Sequence, residues 1–429
     1  MVIFWFRRDL RLDDNHALFK ALKSGYEVLP IFIFDSNITN KLNQNDHRLN
    51  YINNVLDGLN KRLSENKKKI YIYKGNPIEI ISKLIIKLKI KEIYLNKDYE
   101  PYARDRDDKI EKLCVANNVS YNSFKDHVIF EEDQIVKKDG TPYVVYTPYS
   151  RKWIEKFQSN QLDSYPSELN LGGFVDSDKI REVNYLMDFE KNIISPKTYN
   201  LNNDLIDKYE ETRNFPALDS TSRIGVNLRF GTVSTRKIVK TSSERSNNTF
   251  LKELIWREFF IQILWHFPHT TEKSFKDKDE RIEWRNDMDD FKSWCDGKTG
   301  YPIVDAGMNQ LNKTGFMHNR LRMVVGSFLC KHLLIDWRLG EKYFADKLFD
   351  YEQASNVGNW QWVAGCGVDA APYFRIFNPE EQQKKFDKEF DFIRTWIPNF
   401  EKDNYINKIV EHKFARERCL NTYKKALNK

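Results

Sequence analysis

Three side chains in TFLKELIWREFFIQILWHF have types and a spacing suited to chemistry: Glu253, Trp256 and Arg257 stand at i, i+3 and i+4. On a helix over 249–267 that spacing sets a carboxylate, an indole and a guanidinium on one face. Such a face suits a functional site, or it is an amphipathic surface with an exposed Glu253–Arg257 ion pair. The same spacing in TGFMHNRLRM groups Asn319, Arg322 and Met323, as part of a site or as polar residues at a helix start. From Asp350 to Pro379 the run DYEQASNVGNWQWVAGCGVDAAPYFRIFNP gathers acids, amides, small residues and two tryptophans. Glycines at 358, 365 and 367 let backbone approach a flat ligand closely. Asp350 and Glu352 could accept hydrogen bonds from sugar hydroxyls or pair with arginines, and Trp360 and Trp362 could stack on rings. The plain alternative is a glycine-rich helix connection with core tryptophans.

These segments need elements to position them. Over residues 1–130 the strand-like runs VIFWF, EVLPIFIFD, KIYIYKG and EIYLNKD alternate with helix-period stretches, which predicts a doubly wound parallel sheet. Residues 131–195 lose that pattern and read as an interdomain linker. From 196 to 429 helix-period segments dominate, among them 249–267 and NRLRMVVGSFLCKHLLIDW. The expected fold class is α/β plus all-α. No G-x-G-x-x-G or P-loop follows the first strand; Arg7, Arg8, Asp9 and Arg11 stand there instead. The first domain is therefore not an ordinary nucleotide-binding one, and RRDLRLDDN reads as a salt-bridged turn.

The bulk properties narrow the classes. A chain of 429 residues exceeds what one core usually supports, so two domains are expected. With 41% hydrophobic and 31% charged residues it has the balance of a soluble globular protein. Apolar runs fall short of the roughly 18 to 20 residues a membrane span needs. The opening MVIFWFRRDLRLDDN puts arginines after an apolar run, the reverse of a secretory signal, so a cytoplasmic location is expected. Five cysteines without a C-x-x-C pair argue against a disulfide framework and a zinc site, and fit a reducing compartment. A net charge of +7 is compatible with phosphate contacts. Eight of the ten tryptophans lie at or beyond Trp256, where they could form core, carry electrons or stack bases.

Together these stretches resemble the DNA photolyase/cryptochrome family over essentially the whole chain, most closely its class I cyclobutane pyrimidine dimer photolyases. The matching text runs from FWFRRDLRLDDN through RNFPALDSTSR, ELIWREFF, GKTGYPIVDAGMNQLNKTGFMHNRLRM, LLIDWRLGEKYF and the 350–379 segment to IVEHKFARERCLNTY. The resemblance implies an α/β domain joined by a long linker to a helical domain that holds FAD, active when reduced.

It also implies residue roles. Tyr209, Thr221, Ser222, Arg223, Ile224 and Gly225 would meet the phosphate and ribose region of FAD. Gly225 stands where some members carry serine, which withdraws that side-chain contact and leaves backbone amides. Asp350 and Glu352 match acids near the ribose and adenine, with Arg322 as the partner of Asp350 and Arg257 as a further cofactor residue; Asn356 matches the asparagine facing flavin N5. Glu253 matches the glutamate that hydrogen-bonds the dimer bases and stabilises their radical anion, Asn319 and Met323 complete that pocket, and Trp256 and Trp362 match its aromatic walls. Such a pocket takes a dimer flipped out of the duplex, and base flipping is a general property of photolyases. Arg213, Arg320, Arg375 and Gln382 match positions near the DNA backbone. Trp360, Trp337 and Trp284 match the tryptophan chain that reduces photoexcited flavin. Glu100, in DYEPYARDRD, matches a glutamate of the antenna site, for methenyltetrahydrofolate or 8-hydroxy-5-deazaflavin.

The implied activity is light-driven repair of cyclobutane pyrimidine dimers in UV-damaged DNA, independent of sequence, by a monomer. The absence of histidine at Asn319 and Met323 speaks against (6-4) lesions, and WQW with both tryptophans speaks against the DASH subgroup, although VAGCG is similar to it. The alternative is a cryptochrome photoreceptor that binds FAD without repairing DNA. A non-photochemical FAD oxidoreductase would need a nicotinamide site or an acid/base pair, and neither is found.

Overall fold

Five short strands, the first four rich in β-branched and aromatic residues and the last, SYNSF, largely polar, build one parallel sheet in the computed structural model, which describes residues 1–43, 46–180, 194–398 and 400–427. The strands are β1 (Val2–Phe6), β2 (Val28–Asp35), β3 (Tyr71–Gly75), β4 (Glu92–Asn96) and β5 (Ser120–Phe124), in the order β3-β2-β1-β4-β5. All neighbouring pairs are parallel, with Phe6 opposite Phe32 and Phe4 opposite Tyr94. β1 and β2 are buried along their full length, as unbroken apolar runs in a covered parallel sheet should be. Asn15 and Asn76 cap the helices His16–Leu22 and Pro77–Leu88, accepting hydrogen bonds from the amides of Leu18 and Ile78.

The strand order reverses between β1 and β4, the place where such sheets usually open a ligand crevice. Here charged side chains fill it. Arg7 donates to Asp107 at 2.6 Å, and Arg8 donates to Asp98 at 3.2 Å and Glu100 at 3.1 Å. Arg11 reaches Asp126 at 2.8 Å, and Arg236 pairs with both Asp14 and Asp126. Burial pushes the Asp98 carboxyl up, but Arg8, His127 and Arg7 outweigh it and hold that group well below the usual carboxylate range. The RRDLRLDDN segment is thus an ion-paired turn.

Chain compactness gives two units. The first comprises residues 1–135, 153–195 and 224–244; the second comprises 136–152, 196–223 and 245–429. Residues 224–244 group with the sheet because Gly231 lies so close to the Arg8 backbone that a Cβ there would stand 2.0 Å from the Arg8 carbonyl oxygen. The linker expected over 131–195 contains a helix at Tyr146–Ser159 and a 3-10 turn at Ser167–Gly173; its residues 181–193 lie outside those described.

The five strands of the described residues all belong to the first unit, and the second is helical. Its main core is built on the helices Pro302–Thr314, Asn319–Ser327, Trp337–Lys347 and Gln353–Ala364, with Trp294, Trp337 and Trp360 buried among them. The helix expected over 249–267 spans Thr249–His266. The helix expected from 319 onward ends at Ser327 and passes into a π turn at Phe328–His332, after which Leu334 takes φ 52°. The Leu334 carbonyl then accepts from the amides of Arg285 and Asn286, which ties the Trp284 segment to this bend. Close approach of two helices fixes the site described next: a Cβ at Gly358 would lie 2.2 Å from Phe260.

Candidate functional site

The helices of the second unit enclose a cavity of about 400 Å³. Twelve of the side chains singled out in the sequence line it: Arg213, Glu253, Trp256, Arg257, Asn319, Arg322, Met323, Asp350, Glu352, Asn356, Trp360 and Trp362. They come from the end of the Asn203–Thr212 helix, from Thr249–His266, from Asn319–Ser327 and from the start and body of Gln353–Ala364. Helical spacing delivers each set to one face, and tertiary packing turns the faces inward together.

Charge on the wall is balanced by pairs between helices. Arg322 donates to Asp350 at 2.8 Å and Arg257 to Glu352 at 2.8 Å, and Arg213 donates to Glu253. The local Glu253–Arg257 pair that the spacing suggests is replaced by two of these cross-helix contacts. Asn356 is held by its amide nitrogen, which donates to the Glu341 backbone oxygen at 3.1 Å and to the Glu341 carboxyl at 3.0 Å. Its own carbonyl oxygen is therefore not consumed by that anchor. Burial pushes the Glu341 carboxyl up, while the hydrogen bonds from Asn356 and Tyr351 partly offset it.

The remaining expected residues are distributed around the cavity or away from it. Tyr209 packs edge-on to Phe250 at 5.1 Å with Arg213 over its ring; burial, then the Glu253 charge, raises its phenol. Ser222 is buried beside Thr221, and its carbonyl accepts from the Asn200 amide. Arg223 takes φ 55°, donates to Asp219 and lies 4.5 Å over Phe316. Ile224 is buried and Gly225 starts a short helix, both in the first unit. Arg320 donates to Asn214 at 2.6 Å and lies over Phe386, Arg375 is exposed, and Gln382 sits on the helix Pro379–Phe386. Trp337 is buried with its indole nitrogen unpartnered, on a helix whose Gly340 abuts Trp360; Trp284 meets Tyr423 edge-on at 6.1 Å. Glu100 lies in the first unit, where its carboxylate pairs with Arg8 and with Arg229 at 3.3 Å.

Sequence reasoning misses three residues. Glu341 and Tyr146 carry no motif signal of their own. His318 precedes Asn319 and caps its helix: Nδ1 accepts from the Arg320 amide at 3.1 Å, which leaves the ring proton on Nε2. That nitrogen is buried without a partner. Burial first, then Arg322, Arg320 and Arg223, lowers the imidazole to about 4, so it is neutral at physiological pH. An unsatisfied donor among three guanidiniums is chemistry that fits the phosphates of a dinucleotide, and the aromatic walls with the Asn356 carbonyl fit a flat heteroaromatic ring. The residues present therefore fit FAD.

Comparisons with known proteins bear on the whole chain. Residues 2–167 match the family model for DNA photolyase, and residues 250–403 match that for the FAD binding domain of DNA photolyase. A curated relative, the deoxyribodipyrimidine photo-lyase of Agrobacterium fabrum, is 35% identical over 98% of this chain and 97% of its own. A bacterial class III photolyase from Agrobacterium tumefaciens superposes with a TM-score of 0.88 at 33% identity, covering 100% of this chain and 98% of its own. A Synechocystis cryptochrome shares the fold at a TM-score of 0.85 and 24% identity, covering 98% of this chain and 99% of its own.

Proposed function

The chain belongs to the DNA photolyase family, and from that membership and the cavity just described we propose that it repairs cyclobutane pyrimidine dimers in DNA, using light and reduced FAD. The observation that carries the reading is the convergence of Glu253, Asn319, Met323, Trp256 and Trp362 on the cavity that also holds Asn356 and the Arg322–Asp350 and Arg257–Glu352 pairs.

FAD, when bound, supplies light absorption and a one-electron donor. This chain's residues do the rest. Tyr209, Thr221, Ser222 and Arg223 bind its phosphate and ribose region; Asp350 and Glu352 bind its sugar and adenine end. Asn356, anchored by Glu341, would offer its carbonyl oxygen to a protonated flavin N5 and so favour the reduced cofactor. Trp256 and Trp362 take a flipped dinucleotide between aromatic surfaces. Glu253 accepts hydrogen bonds from the imide N–H groups of the bases, with Asn319 and Met323 beside it. Arg213, Arg320, Arg375 and Gln382 hold the phosphate backbone, a charge-driven contact blind to sequence. Trp360, Trp337 and Trp284 would carry electrons from an external reductant toward bound FAD, restoring its reduced form.

For the antenna, the first unit has a second cavity of about 530 Å³ near the ends of β2 and β3, lined by Asn37, Lys41, Asn76, Tyr102 and Arg106 among others. Glu100 lies apart from its lining residues and is ion-paired with Arg8 and Arg229.

The test is direct. The reduced protein is illuminated with near-UV or blue light beside an oligonucleotide carrying one cyclobutane dimer, and base absorbance is followed against a dark control. Light-dependent recovery supports repair; bound FAD with no recovery overturns it in favour of a photoreceptor.

A further inference from the structure

Behind Trp256 stands a residue from the segment that the sequence reads as a linker. Tyr146, at the start of the helix Tyr146–Ser159, lies parallel to the Trp256 indole with centroids 3.6 Å apart and an interplanar angle of 6°. The residue is tied at both ends. Its hydroxyl donates to the Lys252 carbonyl at 2.9 Å, one turn before Trp256 on the same helix, and its backbone amide donates to Asp369 Oδ2 at 3.1 Å. Phe259 meets the ring edge-on at 5.9 Å. Burial, followed by the charge of Glu253, raises the phenol, which places Tyr146 within electrostatic reach of the cavity wall.

We infer that Tyr146 is a positioning residue for damage recognition: stacked on the back of Trp256, it fixes that indole as a flat platform for the flipped dinucleotide. The inference rests on the reading of Trp256 as a wall of the lesion pocket. The physical reason is preorganisation. A tryptophan beside an open cavity has two side-chain torsions to freeze when a ligand stacks on it, and ordering such a side chain on binding costs affinity. An aromatic ring packed flat against its face removes that freedom beforehand, because the indole cannot turn without displacing it. The hydroxyl matters less than the ring, since its bond to Lys252 serves to hold the ring in place. The consequence is selective: the platform is used by a stacked, extrahelical lesion, whereas undamaged duplex is held by phosphate contacts that do not involve it.

The experiment uses the full chain with FAD bound and compares Tyr146→Leu, Tyr146→Phe and Trp256→Ala. Equilibrium binding is measured in the dark to an oligonucleotide with a single cyclobutane dimer and to its undamaged twin, together with FAD content and repair per photon at saturating substrate. Tyr146→Leu is expected to bind the dimer roughly five- to tenfold more weakly, with undamaged-DNA affinity, FAD content and saturated repair unchanged. Tyr146→Phe, which keeps the stack, is expected within about twofold of the parent. Weakened dimer binding in Trp256→Ala beside undiminished binding in Tyr146→Leu overturns this inference alone. Undiminished binding in Trp256→Ala overturns the pocket reading and this inference with it. Equal losses for dimer and undamaged DNA in Tyr146→Leu, or an equal loss in Tyr146→Phe, also overturn it, because general loosening and not the stack would then be responsible.

Discussion

Substituting Glu253→Gln keeps the shape of the side chain and removes its charge, so it separates two effects that should move in opposite directions. In the structure Glu253 is the carboxylate partner of Arg213, with side chains 35% and 32% exposed. Arg320 lies close enough that Arg213 lowers its guanidinium, after burial. Removing the carboxylate leaves Arg213, on the cavity wall, and its neighbour Arg320 without that counter-charge. A pair this exposed is worth at most about 1 kcal/mol after solvent screening. Undamaged DNA should therefore bind up to about fivefold more tightly at low salt, and the dependence of log K on log salt should steepen by up to about 0.9 if Arg213 takes up a phosphate. Repair should fall. A hydrogen bond to a charged group contributes roughly 1.5 to 3 kcal/mol, so losing the charge where it meets the bases should lower repair efficiency about ten- to hundredfold. The assays are fluorescence anisotropy with undamaged duplex between about 50 and 200 mM salt, and light-driven recovery of a dimer-containing oligonucleotide. Weaker binding to undamaged DNA would show that Glu253 does not restrain Arg213. Unchanged repair would remove Glu253 from the lesion pocket.

Glu352→Ala, which removes the carboxylate that Arg257 donates to at 2.8 Å, should cost about 1 to 3 kcal/mol in urea unfolding, whereas the double change Arg257→Met with Glu352→Leu should lie nearer the parent in stability while both lose FAD; equal destabilisation of single and double variants would contradict the assignment of the cost to the lost ion pair. Trp284→Phe should slow photoreduction of bound flavin and leave repair by chemically reduced protein intact, and loss of repair under those conditions would show that its role is not electron supply. Burial pushes the Asp126 carboxyl up, but Arg11 and Arg236 hold it down at about 2. Because the folded value lies below the unfolded one, its contribution of about 2 kcal/mol is present above roughly pH 4 and lost as pH falls toward about 2. Asp126→Asn should flatten that part of the acid unfolding curve, and an unaltered curve would refute the pairing.

Local periodicity suffices to find four strands of the parallel sheet, the helices at 249–266 and 319–327, and the three segments whose side chains meet at the cavity; it misses β5, whose SYNSF carries no apolar run. It fails where a contact depends on which helix lies opposite. At Glu253 and Arg257 the i, i+4 rule proposes one exposed pair, yet the structure sends Glu253 to Arg213 and Arg257 to Glu352, because burying a guanidinium favours the partner that is itself buried, here 5% exposed. The pattern carries the helix from 319 too far because nothing in VVGSFLCKHLL marks a break; the π turn at Phe328–His332 and the left-handed Leu334 arise from tertiary packing around Arg285 and Asn286. Tyr146 and Glu341 give no local signal for the same reason: Tyr146 acts through Trp256 and Glu341 through Asn356, partners that no sequence spacing identifies.

The charges on the cavity wall explain why the whole constellation depends on tertiary structure. Arg213, Arg257 and Arg322 face Glu253, Glu352 and Asp350 there, three against three. Each pair bridges two elements, so these arginines also hold the helices in register. The most exposed of the three pairs, Arg213 with Glu253, is the least costly of them to exchange for another partner.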